Sequence, residues 1–247
     1  MRRAILKRPL NLDYTELFGK SWIDVLTPLL ASSYMFNLMA LINEIYSLLP
    51  NQILGQGFVY PYKSRLFTNF RACDWTNLKV VIVGREPYQS HRAIGVPFAT
   101  HVNNNNVILE DDLILIERCI RKNIYNNSTQ YVFDESLSTW GMQGVFLIDA
   151  ASTSEETSKN AHSIIWKNFT REVIKIISSK KTNIIFLLWG AEAKYFSRYI
   201  DREKHHVLVY DHPSDAKTRN TDWNCTHFKS VNDILLRTTE NNEEIDW

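Results

Sequence analysis

Four short stretches of the chain are unbroken apolar runs rich in β-branched and aromatic residues: 80–83, 145–148, 184–188 and 207–210. Runs of this length without polar alternation suit strands buried on both faces, as in a parallel sheet. Between them the spacing turns helical. Over residues 33–49, Phe36, Met39, Leu41, Ile42, Ile45, Leu48 and Leu49 recur near every third or fourth position, with Ser33 as the N-cap and Pro50 as the stop. Further helices are predicted over 108–122, over 163–180 with Ile164, Ile165, Phe169, Val173, Ile174 and Ile177 inward, over 191–200, and over 228–237. Strand and helix alternate, which predicts a three-layer α/β/α domain with a central, mainly parallel four-stranded sheet. One such domain is expected over 21–247, behind a tail of residues 1–20. The Asn run 103–106 reads as an exposed loop.

Composition narrows the function without naming it. The 247 residues carry 28 Lys and Arg against 27 Asp and Glu, a net charge of +1, so any nucleic acid must be met by a local patch. The three cysteines, Cys73, Cys119 and Cys225, are odd in number and scattered, which excludes a disulfide framework and points to a reducing compartment. No Cys-x-x-Cys or His/Cys cluster suggests a metal, and neither glycine-rich phosphate-loop motif occurs. The opening basic segment has too short an apolar run for a signal peptide, and no stretch approaches a membrane span, so a soluble protein is expected.

In an open parallel sheet the ligand site lies beyond the carboxyl ends of the strands. Here those ends carry Gly84-Arg85-Glu86-Pro87-Tyr88-Gln89, Asp149-Ala150, Trp189-Gly190-Ala191 and Asp211-His212-Pro213-Ser214. Taken singly, Asp149 could be a helix cap, His212-Pro213-Ser214 a turn, and Tyr88 a packing residue. Taken together, carboxylates, a histidine and tight-turn residues converge on one rim, the arrangement of a catalytic cleft.

These segments resemble the family 1 uracil-DNA glycosylases of cells and large DNA viruses, with the herpesvirus enzymes the nearest likeness. Lys79 to Gln89 stands where that family reads Lys-Val-Val-Ile-Leu-Gly-Gln-Asp-Pro-Tyr-His. Gly95-Val96-Pro97-Phe98-Ala99 matches its Gly-Leu-x-Phe-Ser segment, and Trp140 to Ala150 matches Trp-x-x-Gln-Gly-Val-Leu-Leu-Leu-Asn-Ala. The likeness continues through Phe186-Leu187-Leu188-Trp189-Gly190, His212-Pro213-Ser214, His227-Phe228 and Ile245-Asp246-Trp247.

The resemblance implies an enzyme that flips uracil out of DNA and hydrolyses its N-glycosidic bond to leave an abasic site, without metal or cofactor. It implies Glu86 and His212 as catalytic groups, one orienting water and the other stabilising the departing base. It implies Arg85, Tyr88, Phe98 and Asp149 around the base, with Tyr88 excluding a C5 methyl and Phe98 stacking. Gln89, Gly190, Ala191, Pro213, Ser214, Asp215 and Ala216 fall on the segments that meet DNA. Uracil-containing DNA is the expected partner, with viral DNA replication proteins a further one. A monomer is expected, in the nucleus, which for a viral protein is the host's; Arg2, Arg3, Lys7 and Arg8 are a candidate address or a solvated basic tail.

The departures from the family pattern gather in the site. Glu86 replaces Asp, adding a methylene of roughly 1.5 Å reach. Asp149 replaces Asn; an ionised carboxylate cannot donate to uracil O4, whereas a protonated one could pair with cytosine. The Pro-rich loop has no counterpart, the Gly-Ser loop reads Gly190-Ala191, and Asp215-Ala216 stands where the family has Pro-Leu. Three readings follow: a working uracil-DNA glycosylase, a catalytically impaired homologue serving a DNA replication assembly, and a specificity shifted towards cytosine.

Overall fold

The four apolar runs form the central sheet of the computed structural model, which describes residues 14–48, 58–100, 109–239 and 243–247. Its strands are β2 (Val80–Gly84), β3 (Val145–Asp149), β5 (Ile185–Trp189) and β6 (His206–Tyr210), in the order β3-β2-β5-β6 and all parallel. A two-stranded antiparallel pair, β1 (Val59–Tyr60) with β4 (Ser154–Glu155), sits apart from it.

Alternate residues of each central strand enter different cores, as the pleat requires. Val81, Val83, Phe146, Ile148, Phe186 and Leu188 face one helical layer; Val80, Ile82, Val145, Leu147, Ile185 and Leu187 face the other. The first layer holds α1 (Tyr14–Phe18), α2 (Lys20–Leu30), α3 (Ser33–Leu48), α4 (Thr68–Ala72) and α7 (Ser163–Lys180). The second holds α5 (Asp111–Asn123), α6 (Ser138–Met142) and α10 (His227–Thr238). Each fully buried aliphatic side chain of these strands contributes roughly 1.5–3 kcal/mol of transfer free energy. Cys73 is buried in the first layer, Cys119 and Cys225 in the second, and all three thiols are free.

The expected three-layer architecture is present, with local differences. Ser32 rather than Ser33 caps α3, its hydroxyl accepting from Met35 N at 3.1 Å. Leu41 and Ile164 face solvent, Ile164 being 85% exposed on the first turn of α7. The segment expected as one helix over 191–200 splits into α8 (Ala191–Lys194) and a 3-10 turn, Tyr195–Tyr199. Phe18 is fully buried against Phe67 and Phe70, so folded structure begins before residue 21. Among the described residues no single helix is long and apolar enough to cross a membrane. The basic residues Arg2, Arg3, Lys7 and Arg8, the stop at Pro50 and the Asn run 103–106 lie outside the described residues.

Candidate active site

Parallel pairing aligns the strand ends: Gly84 is the register partner of Asp149, and Trp189 of Tyr210. The segments that follow therefore share one rim. Beneath it an inner cavity is lined by Asn69, Pro87, Tyr88, Phe98, Asp149 and Ser152. An outer groove joins it through Pro87 and Tyr88 and is lined by Arg85, Glu86, Gln89, Asp112, Lys159, Asn160, His212 and Ser214.

The inner wall depends on a missing side chain. A Cβ on Gly84 would fall 2.3 Å from Asp149 Oδ1 and 2.8 Å from Phe98 Cζ, so only glycine lets the carboxyl and the ring meet over β2. Phe98 takes a left-handed backbone conformation, φ 64, held where Tyr88 Oη donates to its carbonyl at 2.6 Å. Its ring lies 5.3 Å from Trp189 and 5.5 Å from the His212 imidazole.

Asp149 is 4% exposed, and burial holds its carboxyl well above the usual carboxylate range, with Glu86 and Asp112 adding repulsion. Burial thus favours the neutral acid, whose two oxygens present one O–H donor and one carbonyl acceptor. Glu86, half-buried on the rim, is also raised by burial. The Asn160 backbone N–H, donated to Glu86 Oε2 at 2.9 Å, favours its ionised form, as do Arg85 and Lys159. Asn160 reaches it from 74 residues away in a left-handed conformation, φ 58, which Asn tolerates readily.

His212 is the N-cap of α9 (Pro213–Thr218), with Pro213 at the first helical position. Its Nδ1 accepts from Ser214 N at 3.2 Å and lies 2.8 Å from Ser214 Oγ. Burial first, then the Arg85 charge, pushes the imidazole down to about 3, so it is neutral. With Nδ1 accepting, the single ring proton sits on Nε2, which is buried and has no partner among the described residues.

Residues 70–236 match the model of the Uracil DNA glycosylase superfamily. The chain belongs to this superfamily. A uracil-DNA glycosylase of Aliarcobacter butzleri is 35% identical over 191 residues, covering 76% of this chain and 86% of the relative. One from Francisella philomiragia is 32% identical over 231 residues, covering 92% and 99%. In fold, the chain resembles the crystal structure of mimivirus uracil-DNA glycosylase with a TM-score of 0.78 at 23% identity, covering 95% of this chain and 88% of that one.

The described structure gathers Arg85, Glu86, Tyr88, Phe98, Asp149 and His212 around the cavity and groove, with Arg85 tied to its neighbours rather than left free. The guanidinium donates to Glu192 Oε2 at 3.0 Å, Ser214 Oγ at 2.9 Å and Asp215 Oδ1 at 2.9 Å. Asp215 thus faces Arg85, which holds its carboxyl below the usual range. Ala216, expected at the DNA-facing segment, is instead buried at 1% exposure, because the second turn position of α9 points into the second core. Gln89 donates to Glu155 O at 2.7 Å. Gly190 caps α8 at φ 92, where a Cβ would meet His212 Cβ at 3.1 Å, and Ala191 beside it is exposed.

Sequence reasoning missed Asp112, Asn160 and Glu192. Asp112, on the first turn of α5, lies 3.8 Å from His212 Nδ1, and burial raises its carboxyl to about 6. Asn160 acts through its backbone, and Glu192 through a partner 107 residues away, so neither carries a local signal. Lys217, also on the groove, is paired with Asp111.

Proposed function

We propose that the protein removes uracil from DNA by hydrolysing its N-glycosidic bond. The observation that carries this reading is the buried, neutral His212, whose Nε2–H has no partner among the described residues and whose ring lies beside the Phe98 wall of the cavity. When the bond between C1′ and base N1 breaks, its electron pair leaves with the base. A fixed donor at the developing oxyanion stabilises that charge, and such a donor is worth on the order of 10²–10³ in rate. Ionised Glu86 on the same groove stabilises the cationic sugar, orients the water whose oxygen bonds C1′, and takes up its proton. Tyr88 and Phe98 wall and stack the base. Gln89, Gly190, Ala191, Pro213 and Ser214 border the strand that carries it.

Asp149 decides how the base is read. As a neutral acid it offers the one donor and one acceptor that this edge of uracil needs: the carbonyl accepts from uracil N3–H and the hydroxyl donates to O4. Moving the proton to the other oxygen presents the complementary face to cytosine, a second reading favoured by the burial of this carboxyl. Single-turnover base release from oligonucleotides carrying one uracil or one cytosine separates the two. Release from uracil alone is the expected result. No release by the wild type, with recovery in the Glu86→Asp, Asp149→Asn double variant, would replace this reading with a disabled site on an intact scaffold.

Beyond the superfamily, the motif run through Ile245-Asp246-Trp247 supports a herpesvirus-type member with a divergent site, built on Glu86, Asp149 and Asp215. On that reading the protein acts as a monomer in the host nucleus, alongside viral DNA replication proteins. Co-purification of those proteins with the tagged chain from infected nuclei is the test, and an exclusively cytoplasmic protein would sink it.

A further inference from the structure

Arg85 is the one cation that reaches His212 through hydrogen bonds among the described residues. All three of its guanidinium nitrogens are engaged: Nε by Glu192, Nη2 by Asp215 and Nη1 by Ser214. Arginine has donors only, so Ser214 Oγ must accept from it. The hydroxyl has a single proton, and its other neighbour is His212 Nδ1 at 2.8 Å. With the oxygen's accepting side turned to Arg85, that proton is directed at Nδ1, alongside the Ser214 backbone N–H at 3.2 Å. Nδ1 therefore accepts two bonds, and the imidazole proton is left on Nε2.

We propose that Arg85 is a positioning residue that fixes the tautomer of His212 by way of the Ser214 hydroxyl. Removing it frees the hydroxyl proton to turn away from Nδ1, so that the Ser214 backbone N–H is left as the one donor to that nitrogen and the preference for the Nε2–H form, the donor the site needs, is weakened. Electrostatics act in the same sense. The charged groups facing His212 are Arg85 from the β2 end, Asp215 from α9 and Asp112 from α5, the last 3.8 Å from Nδ1. Burial and Arg85 oppose protonation and the carboxylates favour it; without Arg85 burial alone would oppose them. Lysine at this position supplies a charge but cannot bond Glu192, Ser214 and Asp215 in one plane. Glu192 and Asp215 in turn hold the guanidinium in place.

The catalytic value of this arrangement rests on the base-release reading, but the tautomer can be read in the free protein. Long-range proton–nitrogen spectra of histidine-labelled protein, assigned with His212→Gln, are compared from about pH 5 to about pH 8 for wild type, Arg85→Gln, Arg85→Lys and Ser214→Ala. Wild type is expected to show neutral, Nε2-protonated His212 throughout. Arg85→Gln should show an Nδ1–H population or a titration within the window, and Arg85→Lys should suppress the titration while leaving the tautomers mixed. Where Arg85→Gln fails to fold, Ser214→Ala cuts the same relay and should expose the Nδ1–H form. A His212 spectrum unchanged in Arg85→Gln, or in Ser214→Ala where that variant stands in, overturns the proposal. If the spectra shift as expected and no variant or wild type releases uracil, the positioning stands and the base-release reading falls. If wild type releases uracil and the spectra do not move, the reverse holds.

Discussion

Gly84 and Asp149 stand side by side at the carboxyl ends of β2 and β3, with room for the Asp149 carboxyl only because Gly84 lacks a Cβ: one placed there would lie 2.3 Å from Oδ1. The contact cannot be relieved by backbone motion, since both strands are buried and paired. Gly84→Ala should therefore displace the carboxyl and Phe98 together. A displacement of about 1 Å costs on the order of 10² in rate, and overpacking costs roughly 1–3 kcal/mol. Single-turnover kinetics and urea denaturation of the variant check both; wild-type rates would refute the role given to this contact.

Base release should follow a bell in pH. Glu86 must be ionised and sits above its ordinary value of 4.5, so the rate should fall on the acid side at a higher pH than an exposed glutamate would give. Asp149 must be neutral, and its proton is lost only well above the ordinary 3.8, which supplies the alkaline limb. The Asp149→Asn variant should keep the acid limb and lose the alkaline one. An alkaline limb that persists in Asp149→Asn assigns it to another group.

Asp112 should make the protein less stable at neutral pH than it need be. Its carboxyl is raised to about 6 from the ordinary 3.8, so the folded chain holds the extra proton between those values. Its stabilising contribution is thus full below the unfolded value and is lost as pH rises through about 6. Asp112→Asn is expected to gain on the order of 3 kcal/mol at about pH 8 and little at about pH 4. His212 and His227 act in the opposite direction: depressed to about 3 and about 4, they withdraw stability as pH falls below the ordinary 6.5. Urea midpoints at the two pH values give the answer, and an equal gain at both would reject a titrating Asp112.

The groove should grip DNA weakly until its cations are released. Lys217 is paired with Asp111, and Arg85 is shared by Glu192 and Asp215. Asp111→Asn frees Lys217 for a phosphate. Affinity for a single strand should rise several-fold, and the logarithmic salt dependence should steepen by about one counterion. Fluorescence anisotropy across a salt series measures both, and an unchanged slope would place Lys217 away from the DNA.

The sheet was legible because β2, β3 and β5 are buried on both faces, so continuous apolar runs such as Val80-Val81-Ile82-Val83 marked them within a residue or so, while β6, at the sheet edge and only partly buried, kept an apolar run of its own. The helices α3, α5, α7 and α10 showed through their spacing. Short helices did not: α4 and α6 have five residues each, too few to establish a period, and α2 carries Pro28 in its interior. Pro213 read as a turn residue but is the first residue of α9, where its missing N–H has no bond to lose. Glu86, Tyr88, Phe98, Asp149 and His212 were found because strand ends and family motifs flag them. The partners of Arg85 and Glu86 were not, since a guanidinium's choice among acids and a backbone N–H from a distant loop leave no mark in local sequence.

The three free thiols offer a built-in clock for the opening of the fold. Burial pushes the Cys73 thiol up to about 12 and raises those of Cys119 and Cys225, so none reacts at neutral pH while covered. Because Cys73 lies on one side of the sheet and the other two on the opposite side, alkylation timed residue by residue records whether the layers part together or in turn. Equal rates at all three sites would mark a single cooperative event; early modification of Cys73 alone would show that the amino-terminal helices peel away first.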